Sequence, residues 1–382
     1  MQTAWILDSG TYKKNPPNEP LVKQMPREFS YAKAGVDREL RAKSKVALSA
    51  LKQTYRLSKY GKVVHLPYGN IFPIGDRYLD LVIEGVGTKV LVAQLADKYD
   101  TIGVDGVAMA VNDVIRSGAT PLAVVDNIHA HVSNPHLVEA WMKGIAKGAT
   151  EAGCPVPSGE IGDVAEIIKG TTEDKGFDMV VACIGELTED EIIYGNNIKP
   201  GDVVIGLRSS GIHSNGLSLA RKVLFQRWGG KYNPHDIPDG FDRDLVTEVL
   251  EPTRIYARPL LTTAKDYRFK GAVHITGDGY LKFDRLMEFS KGIGFEFDNF
   301  EPQPIFNLIQ KTSSEVRGGI TDDEMLKTFN MGWGFAVIVE KTEENDVVES
   351  FKKVAIDAER IGRVTDTGHI VTLYKGKKIA LK

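Results

Sequence analysis

Three acidic residues stand where a carboxylate could bind a metal ion. Glu84 ends an alternating run over residues 79–83, a pattern typical of a strand. Asp113 lies in an apolar segment with helical spacing, and Glu160 follows another apolar segment. Because Mg²⁺ usually reaches a protein through a few carboxylates and substrate phosphates, we expect Glu84, Asp113 and Glu160 to converge as its ligands. Asp105 is a further acidic candidate, or the cap of the helix that carries Asp113.

A glycine-rich turn follows the first of these carboxylates. It contains Gly85, Gly87, Thr88 and Lys89. Glycines allow the backbone to approach an anion closely, and Lys89 and the N-terminus of the next helix could stabilise its charge. The spacing is not that of a P-loop. An ordinary strand-to-helix turn is the alternative.

A second candidate for anion binding spans residues 209–216, between a predicted strand at 203–207 and a predicted helix at 217–224. Small hydrogen-bond donors are dense in this loop, and they precede a helix N-terminus. Alternatively, the loop merely caps the helix and its histidine is a satisfied loop residue. A third glycine-rich turn, at 274–279, is as compatible with a tight turn as with a site. The candidate residues in the 209–216 loop are Ser209, Ser210, Gly211, His213, Ser214 and Asn215.

The elements that would position these residues indicate an α/β chain. Two strands at 70–74 and 78–83 are joined by a hairpin-type turn. A helix begins at Pro135, capped by Ser133 or Asn134, and stops at Gly153. A strand over 177–184 closes the first half, and a further helix is predicted to begin at Glu251, with the next two residues in its first turn.

Length and composition indicate a globular chain of two domains. The 382 residues carry a net charge of -3, which gives no sign of a nucleic-acid or membrane partner. Only two cysteines occur, and they favour a reducing compartment, so we expect the cytoplasm. We predict an N-terminal arm at 1–30, extended or partly disordered, an N-terminal domain at 31–187 and a C-terminal domain at 188–382. The arm's only apolar run, residues 4–7, is too short for a signal peptide or a spanning helix.

Taken in order, nine motifs make the chain from about residue 31 to its end similar to the phosphoribosylformylglycinamidine cyclo-ligase family, also called aminoimidazole ribonucleotide synthetases. The motifs are Ala34-Gly-Val-Asp37, Gly85-Val-Gly-Thr-Lys89, Asp100-Thr-Ile-Gly-Val-Asp105, Ala108-Met-Ala-Val-Asn-Asp113, Gly159-Glu160, Ser209-Ser-Gly-Ile-His-Ser-Asn-Gly216, Pro252-Thr-Arg-Ile-Tyr256, His274-Ile-Thr-Gly277 and Thr328-Phe-Asn330. The family usually has Asp where Glu84 stands.

The resemblance implies a two-domain α/β subunit whose N-terminal sheet forms a shared β-barrel in a homodimer. The second domain completes an active-site cleft near that interface. It further implies that ATP phosphorylates the formyl amide oxygen of formylglycinamidine ribonucleotide. An amidine nitrogen then closes the imidazole ring of aminoimidazole ribonucleotide.

The resemblance also assigns roles by position. The implied catalytic residues are His213, Lys89 and Asp113. The implied ATP-binding residues are Gly69, Glu84, Gly85, Gly87, Thr88, Lys89 and Asp113. The implied substrate-binding residues are Ser210, Gly211, His213, Asn215, Thr276 and Gly277, and the implied Mg²⁺ ligands are Glu84, Asp113 and Glu160. Two alternatives stay open: another ATP-using enzyme of this architecture, such as a thiamine monophosphate kinase, and a non-catalytic nucleotide-binding partner protein.

Overall fold

A mixed six-stranded sheet forms the first half of the chain. The structure is a computed structural model that describes residues 28–172 and 174–382, so the predicted arm lies almost entirely outside the described residues. The strand order is β1-β2-β3-β6-β4-β5, and only the β4/β5 pair is parallel. These strands are β1 (Val64–Leu66), β2 (Gly69–Ile74), β3 (Arg77–Gly85), β4 (Thr120–Ala130), β5 (Ser158–Asp163) and β6 (Phe177–Leu187).

Four helices accompany this sheet: α1 (Arg38–Lys45), α2 (Lys89–Ala96), α3 (Asp100–Val114) and α4 (Pro135–Ala152). A run of 3₁₀ helix, Val46–Leu57, follows α1. Helix α3 is buried from Thr101 to Val114 because it lies between the sheet, α4 and the second half of the chain. Gly103 and Gly144 allow α3 and α4 to approach closely, since a side chain at Gly103 would lie 2.3 Å from the Ile145 nitrogen.

Several sequence predictions are confirmed in this half. The hairpin of β2 and β3 turns at Gly75 and Asp76. Helix α4 begins at Pro135, its cap is Asn134, whose side chain accepts from the His136 amide, and Gly153 ends it in the left-handed region. Within one chain the sheet is open, with β1 and β5 at its edges, so the described residues do not close a barrel.

The second half contains a seven-stranded sheet in the order β13-β12-β9-β11-β7-β10-β8, in which only β12 and β9 are parallel. Its strands are β7 (Val203–Arg208), β8 (Gly271–His274), β9 (Gly294–Phe297), β10 (Trp333–Val339), β11 (Ala358–Thr365), β12 (Ile370–Tyr374) and β13 (Lys377–Ala380). Its helices are α5 (Leu217–Leu224), α6 (Leu245–Val249), α7 (Ala257–Thr263), α8 (Asp284–Phe289), α9 (Pro304–Val316), α10 (Asp322–Thr328) and α11 (Glu344–Lys353).

The prediction of a helix that begins at Glu251 is wrong. Residues 251–256 are irregular, and α7 begins only at Ala257. Buried side chains of α3 hold this segment: the Thr253 amide donates to Asp105 at 2.8 Å, and Asn112 donates to the Arg254 carbonyl at 2.8 Å. Asn112 also accepts from the Tyr256 amide at 2.9 Å. Tertiary hydrogen bonds therefore replace the helical ones here.

Among the described residues, no helix is both long and apolar enough to cross a membrane.

Candidate functional site

Asp113, near the end of α3, is held by two side chains at the mouth of a cleft. Arg116 donates to its Oδ2 at 2.7 Å, and the His274 Nδ1 lies 2.7 Å from its Oδ1. Burial works against the charged form, but Arg116 and the His274 hydrogen bond outweigh it and hold the pKa of Asp113 well below its ordinary value. Asp113 is therefore a permanently charged carboxylate at neutral pH.

His274 is the neutral partner of this carboxylate. Burial lowers the pKa of His274 to about 4, so its Nδ1 carries the proton that Asp113 accepts. Its Nε2 is buried and has no hydrogen-bond partner among the described residues. The neutral ring thus orients Asp113 without itself compensating the negative charge of the carboxylate.

Glu84 lies beside Asp113 and titrates very differently. Burial and the neighbouring Asp113 carboxylate raise the pKa of Glu84 to about 7, while the Lys282 ammonium opposes the shift. Lys282 donates to the His274 carbonyl at 3.1 Å, and burial lowers the pKa of its ammonium. The site therefore holds two carboxylates in unlike states beside two cations, Arg116 and Lys282.

A cleft of 810 Å³ between the two halves contains this group. The first half contributes one wall, and the loops after β7 and β8 contribute the other. Six of the sequence-predicted site residues line it: Gly69, Glu84, Asp113, Asn215, Thr276 and Gly277. The remaining predicted residues do not line the cleft: Gly85, Gly87, Thr88, Lys89, Glu160, Ser210, Gly211 and His213.

Glu160 does not join Glu84 and Asp113 within one chain. In the sheet register Glu84 is opposite Val181, Val181 opposite Asp126, and Asp126 opposite Gly159. Three strand spacings separate the two positions, which is roughly 14 Å. Among the described residues, no three acidic, histidine or cysteine side chains form a cluster that could hold a metal ion. The three carboxylates thus do not meet within the described residues of one chain, and their predicted convergence on Mg²⁺ stays a prediction.

Lys89 is fully buried in an ion pair rather than open to the cleft. Its Nζ lies 2.8 Å from Asp105 Oδ2 and donates to the Glu251 carbonyl at 2.7 Å. Asp105 also accepts from the Ser214 hydroxyl at 3.0 Å. Asp105 lies in the second turn of α3, which begins at Asp100, so the suggestion that it caps this helix is wrong. Lys89 and Asp105 together fasten the two halves.

The 209–216 loop brings one helix N-terminus against another. Thr88, at the start of α2, lies 3.1 Å from Ser218 of α5 between their hydroxyl oxygens. Gly85 and Gly87 form the exposed turn that leads to Thr88. The backbone amides from Gly211 to Asn215 have no backbone acceptor among the described residues, whereas the Gly216 amide donates to the Tyr31 hydroxyl. Two helix N-termini with free amides form an environment that favours an anion.

His213 is buried inside this loop and does not line the cleft. Its Nε2 accepts from the Ser210 amide at 3.2 Å, and its backbone adopts a positive φ of 63°. Burial lowers the pKa of His213 well below its ordinary value, so the ring is neutral. The Ser210 hydroxyl donates to the Pro252 carbonyl at 2.5 Å. Both side chains shape the loop, and their predicted contacts with a ligand stay predictions.

The basic and histidine partners of the two carboxylates were not predicted from the sequence. Arg116 could have been found, because it is one helical turn from Asp113. His274 was noticed only as part of a turn, and Lys282 was not noticed at all. His274 and Lys282 are 161 and 169 positions from Asp113 in the sequence, and no local pattern brings them together with it.

Comparisons with known proteins match both halves. The family "AIR synthase related protein, N-terminal domain" matches residues 70–187, and "AIR synthase related protein, C-terminal domain" matches residues 199–375. Phosphoribosylformylglycinamidine cyclo-ligase from Methanocaldococcus jannaschii is 39% identical over 92% of this chain and 99% of its own length. The Pyrococcus furiosus protein of the same name is 36% identical over the same shares, 92% and 99%.

Solved structures share the fold at low identity. Escherichia coli HypE, a hydrogenase maturation protein, is 16% identical with a TM-score of 0.55, covering 80% of this chain and 85% of its own. Thermotoga maritima PurL complexed with ATP is 15% identical with a TM-score of 0.54, covering 84% of this chain and 45% of its own. These likenesses concern the arrangement of the two sheets.

Proposed function

The chain belongs to the phosphoribosylformylglycinamidine cyclo-ligase family, and from this premise we propose that its cleft closes the imidazole ring of aminoimidazole ribonucleotide at the expense of ATP. Curated relatives over 92% of the chain support an ATP-dependent ligase of purine biosynthesis that forms a C–N bond. ATP phosphorylates the formyl amide oxygen of formylglycinamidine ribonucleotide. An amidine nitrogen then attacks the activated carbon, and phosphate leaves.

One observation carries this proposal: two carboxylates and two cations meet inside the cleft, where Glu84, Asp113 and Arg116 come from the first half and Lys282 comes from the second half, beside Asn215, Thr276 and Gly277. Glu84 and Asp113 fit Mg²⁺, since each has oxygen lone pairs left after its protein contacts. Bound Mg²⁺ would neutralise the charge of the ATP phosphates. Arg116 and Lys282 add positive charge where phosphate is transferred and released. Asn215, Thr276 and Gly277 would orient the ribonucleotide.

The assignment is tested by following phosphate release from ATP and aminoimidazole ribonucleotide together. We expect both products in equal amounts, only when formylglycinamidine ribonucleotide and Mg²⁺ are present. ATP hydrolysis without the imidazole would contradict the proposal, and thiamine monophosphate would then be the next substrate tried. Nucleotide binding without any turnover would favour a non-catalytic partner protein.

The affinity for Mg²⁺ and ATP is expected to rise between pH 6 and pH 8. The proton on Glu84, whose pKa is about 7, must leave before a cation binds, so affinity falls up to about tenfold per pH unit below 7. Conversely, the free chain gains stability from this group at low pH and loses it as pH rises from 4.5 through 7, because the folded state binds the proton more tightly. Titration calorimetry at several pH values measures the affinity.

Glu84→Gln provides the control for that experiment. Because ATP itself titrates near neutral pH, the variant reports the nucleotide's own contribution, and subtraction isolates Glu84. We expect weaker binding with a flatter pH profile. Identical profiles for both chains would rule out Glu84 as a ligand.

A homodimer is also part of the proposal, and the uncovered face of the first sheet supports it. Leu81 and Ile83 of β3 are 60% and 68% exposed. The same face continues across β6 and β4 through the register partners Ala182, Ile184 and Val125. An apolar face of this extent is typical of a protein interface. Two such faces packed together would form the shared barrel, and Glu160 could join the metal site only from the other subunit.

Ile83→Asp is expected to convert the dimer to a monomer, because a charge placed in an apolar interface loses its hydration without gaining a partner. Light scattering after size-exclusion chromatography would show the mass halved. Ile237→Asp is the matched control, since Ile237 is 61% exposed in a loop of the second half. A wild-type chain that is already monomeric, or an Ile83→Asp chain that stays dimeric, would contradict this interface.

We further propose cytoplasmic location and a domain boundary near Thr188. Cys154 and Cys183 are both buried free thiols, as suits a reducing compartment. The first sheet ends at Leu187 and the second begins at Val203, which supports the boundary.

A further inference from the structure

Asp80, on β3, is a buried carboxylic acid that the proposed chemistry does not use. Only 6% of the surface of Asp80 is exposed. The neighbouring Ser117 hydroxyl donates to the Val114 carbonyl at 2.8 Å, and Ser117, the Arg116 guanidinium and the Leu81 amide beside Asp80 all favour its charged form. Burial raises the pKa of Asp80 to about 6. Its carboxylate still has lone pairs that can accept a further hydrogen bond from a ligand.

The group faces a pocket that branches from the cleft. The pocket has a volume of 220 Å³ and shares Tyr68, Glu84 and Asp113 with the cleft, so the two spaces are continuous. Most of its wall is apolar, and Asp80 is the one charged lining residue that it does not share with the cleft, since Glu84, Asp113 and Arg116 line both spaces. The apolar lining residues include Leu66, Pro67, Val82, Ile193, Ala272 and Leu286.

An unpaired strand edge forms another part of the wall. Strand β2 pairs with β3 only as far as Ile71 opposite Asp80. Beyond that pair no described strand joins this edge, although β6 continues along the other edge to Gly85. Backbone N–H and C=O groups between Leu81 and Glu84 are therefore available to a ligand. A flat heteroaromatic base, with donors and acceptors on its edge, fits such a wall.

The spacing along β3 matches a nucleoside triphosphate. Asp80 and Glu84 are four residues apart on β3, where they pair with Gly185 and Val181. Because side chains alternate between the faces of a strand, residues four apart lie on the same face. Four residues of strand span roughly 13 Å. An extended nucleotide with its base beside Asp80 would bring its terminal phosphates to Glu84 and Asp113.

We propose that this pocket binds the purine base of the nucleotide and that Asp80 accepts a hydrogen bond from the exocyclic amino group of adenine. This inference rests on the proposed function, since it names the base that the ATP site selects. A 6-oxo purine would place its carbonyl oxygen against the carboxylate, two acceptors facing each other. Asp80 is thus a specificity-determining residue.

Equilibrium binding of three nucleotides, without ribonucleotide substrate, tests the assignment. We expect the wild-type chain to bind ATP about tenfold more tightly than purine riboside triphosphate, which lacks the amino group. Asp80→Asn should lose about that factor for ATP and leave purine riboside triphosphate unchanged. It should also bind inosine triphosphate more tightly, because its amide can donate to the 6-oxo group.

Asp76→Asn, the same change in the exposed turn of the same hairpin, is the matched control and should alter no affinity. Equal loss of all three nucleotides in Asp80→Asn, or no loss, would overturn the inference. If the variant does not fold, the wild-type series decides: equal affinities for ATP and purine riboside triphosphate would overturn it. If the wild-type chain makes product with ATP but binds ATP and purine riboside triphosphate equally well, only this inference is refuted. If it binds no nucleotide, the proposed function is refuted as well.

Discussion

Asp113→Asn is expected to reduce the rate of product formation by at least about 100-fold in a chain that stays folded. The amide keeps the size of the carboxylate; its oxygen can still accept from Arg116, and its NH₂ can donate to His274 Nδ1 once that ring takes its other neutral tautomer. It lacks the charge that binds Mg²⁺, and a neutral oxygen is a poor substitute in a site that must balance the ATP phosphates. Initial rates at saturating ATP and Mg²⁺ measure the loss in kcat.

Asp100→Asn is the control for this prediction, since it makes the same change at an exposed position in the first turn of the same helix. It should keep the wild-type rate. Circular dichroism and thermal unfolding establish that both variants are folded. A folded Asp113→Asn chain with near wild-type kcat would remove Asp113 from the proposed metal site.

Lys89→Met is expected to lower the free energy of unfolding by about 3–5 kcal/mol. The change leaves Asp105 charged and buried, with hydrogen bonds from Ser214 and Thr253 but without its cation. The Glu251 carbonyl loses its donor as well. Urea denaturation of the wild-type and variant chains measures the difference.

Lys143→Met serves as the matched control, because Lys143 forms an exposed pair with Glu139 on α4. Its loss should cost less than about 1 kcal/mol. Adding Asp105→Asn to Lys89→Met should recover part of the stability, since it removes the uncompensated charge. If Lys89→Met kept its stability and lost ATP affinity instead, Lys89 would act on the nucleotide, as the sequence predicted.

Local patterns predicted those elements whose cause is local. The β2/β3 hairpin follows from alternation and a turn, and α4 follows from a cap, a proline and an apolar face. The same reasoning located Glu84, Asp113 and the 209–216 loop, because each lies next to a strand or helix that the pattern indicates. The residues were found, but their mutual distances were not.

Long-range contacts explain what was missed. The 251–256 segment looks like a helix start, yet Asp105 and Asn112 offer its backbone better-placed partners. Lys89 looks like a phosphate ligand, yet an acid sixteen residues later neutralises it. Glu160 is an exposed residue on an edge strand, three spacings from Glu84. No spacing within the sequence specifies which strand lies beside which, so these outcomes required the fold.

The buried polar side chains of α3 have a consequence for motion and cooperativity. Asn112 binds the backbone of the second half through both its donor and its acceptor, and Asp105 binds it through Thr253. Separating the two sheets would expose these groups and break every one of the bonds at once. The halves should therefore melt as a single cooperative unit rather than in succession, and nucleotides should enter a cleft whose width is already set before they arrive.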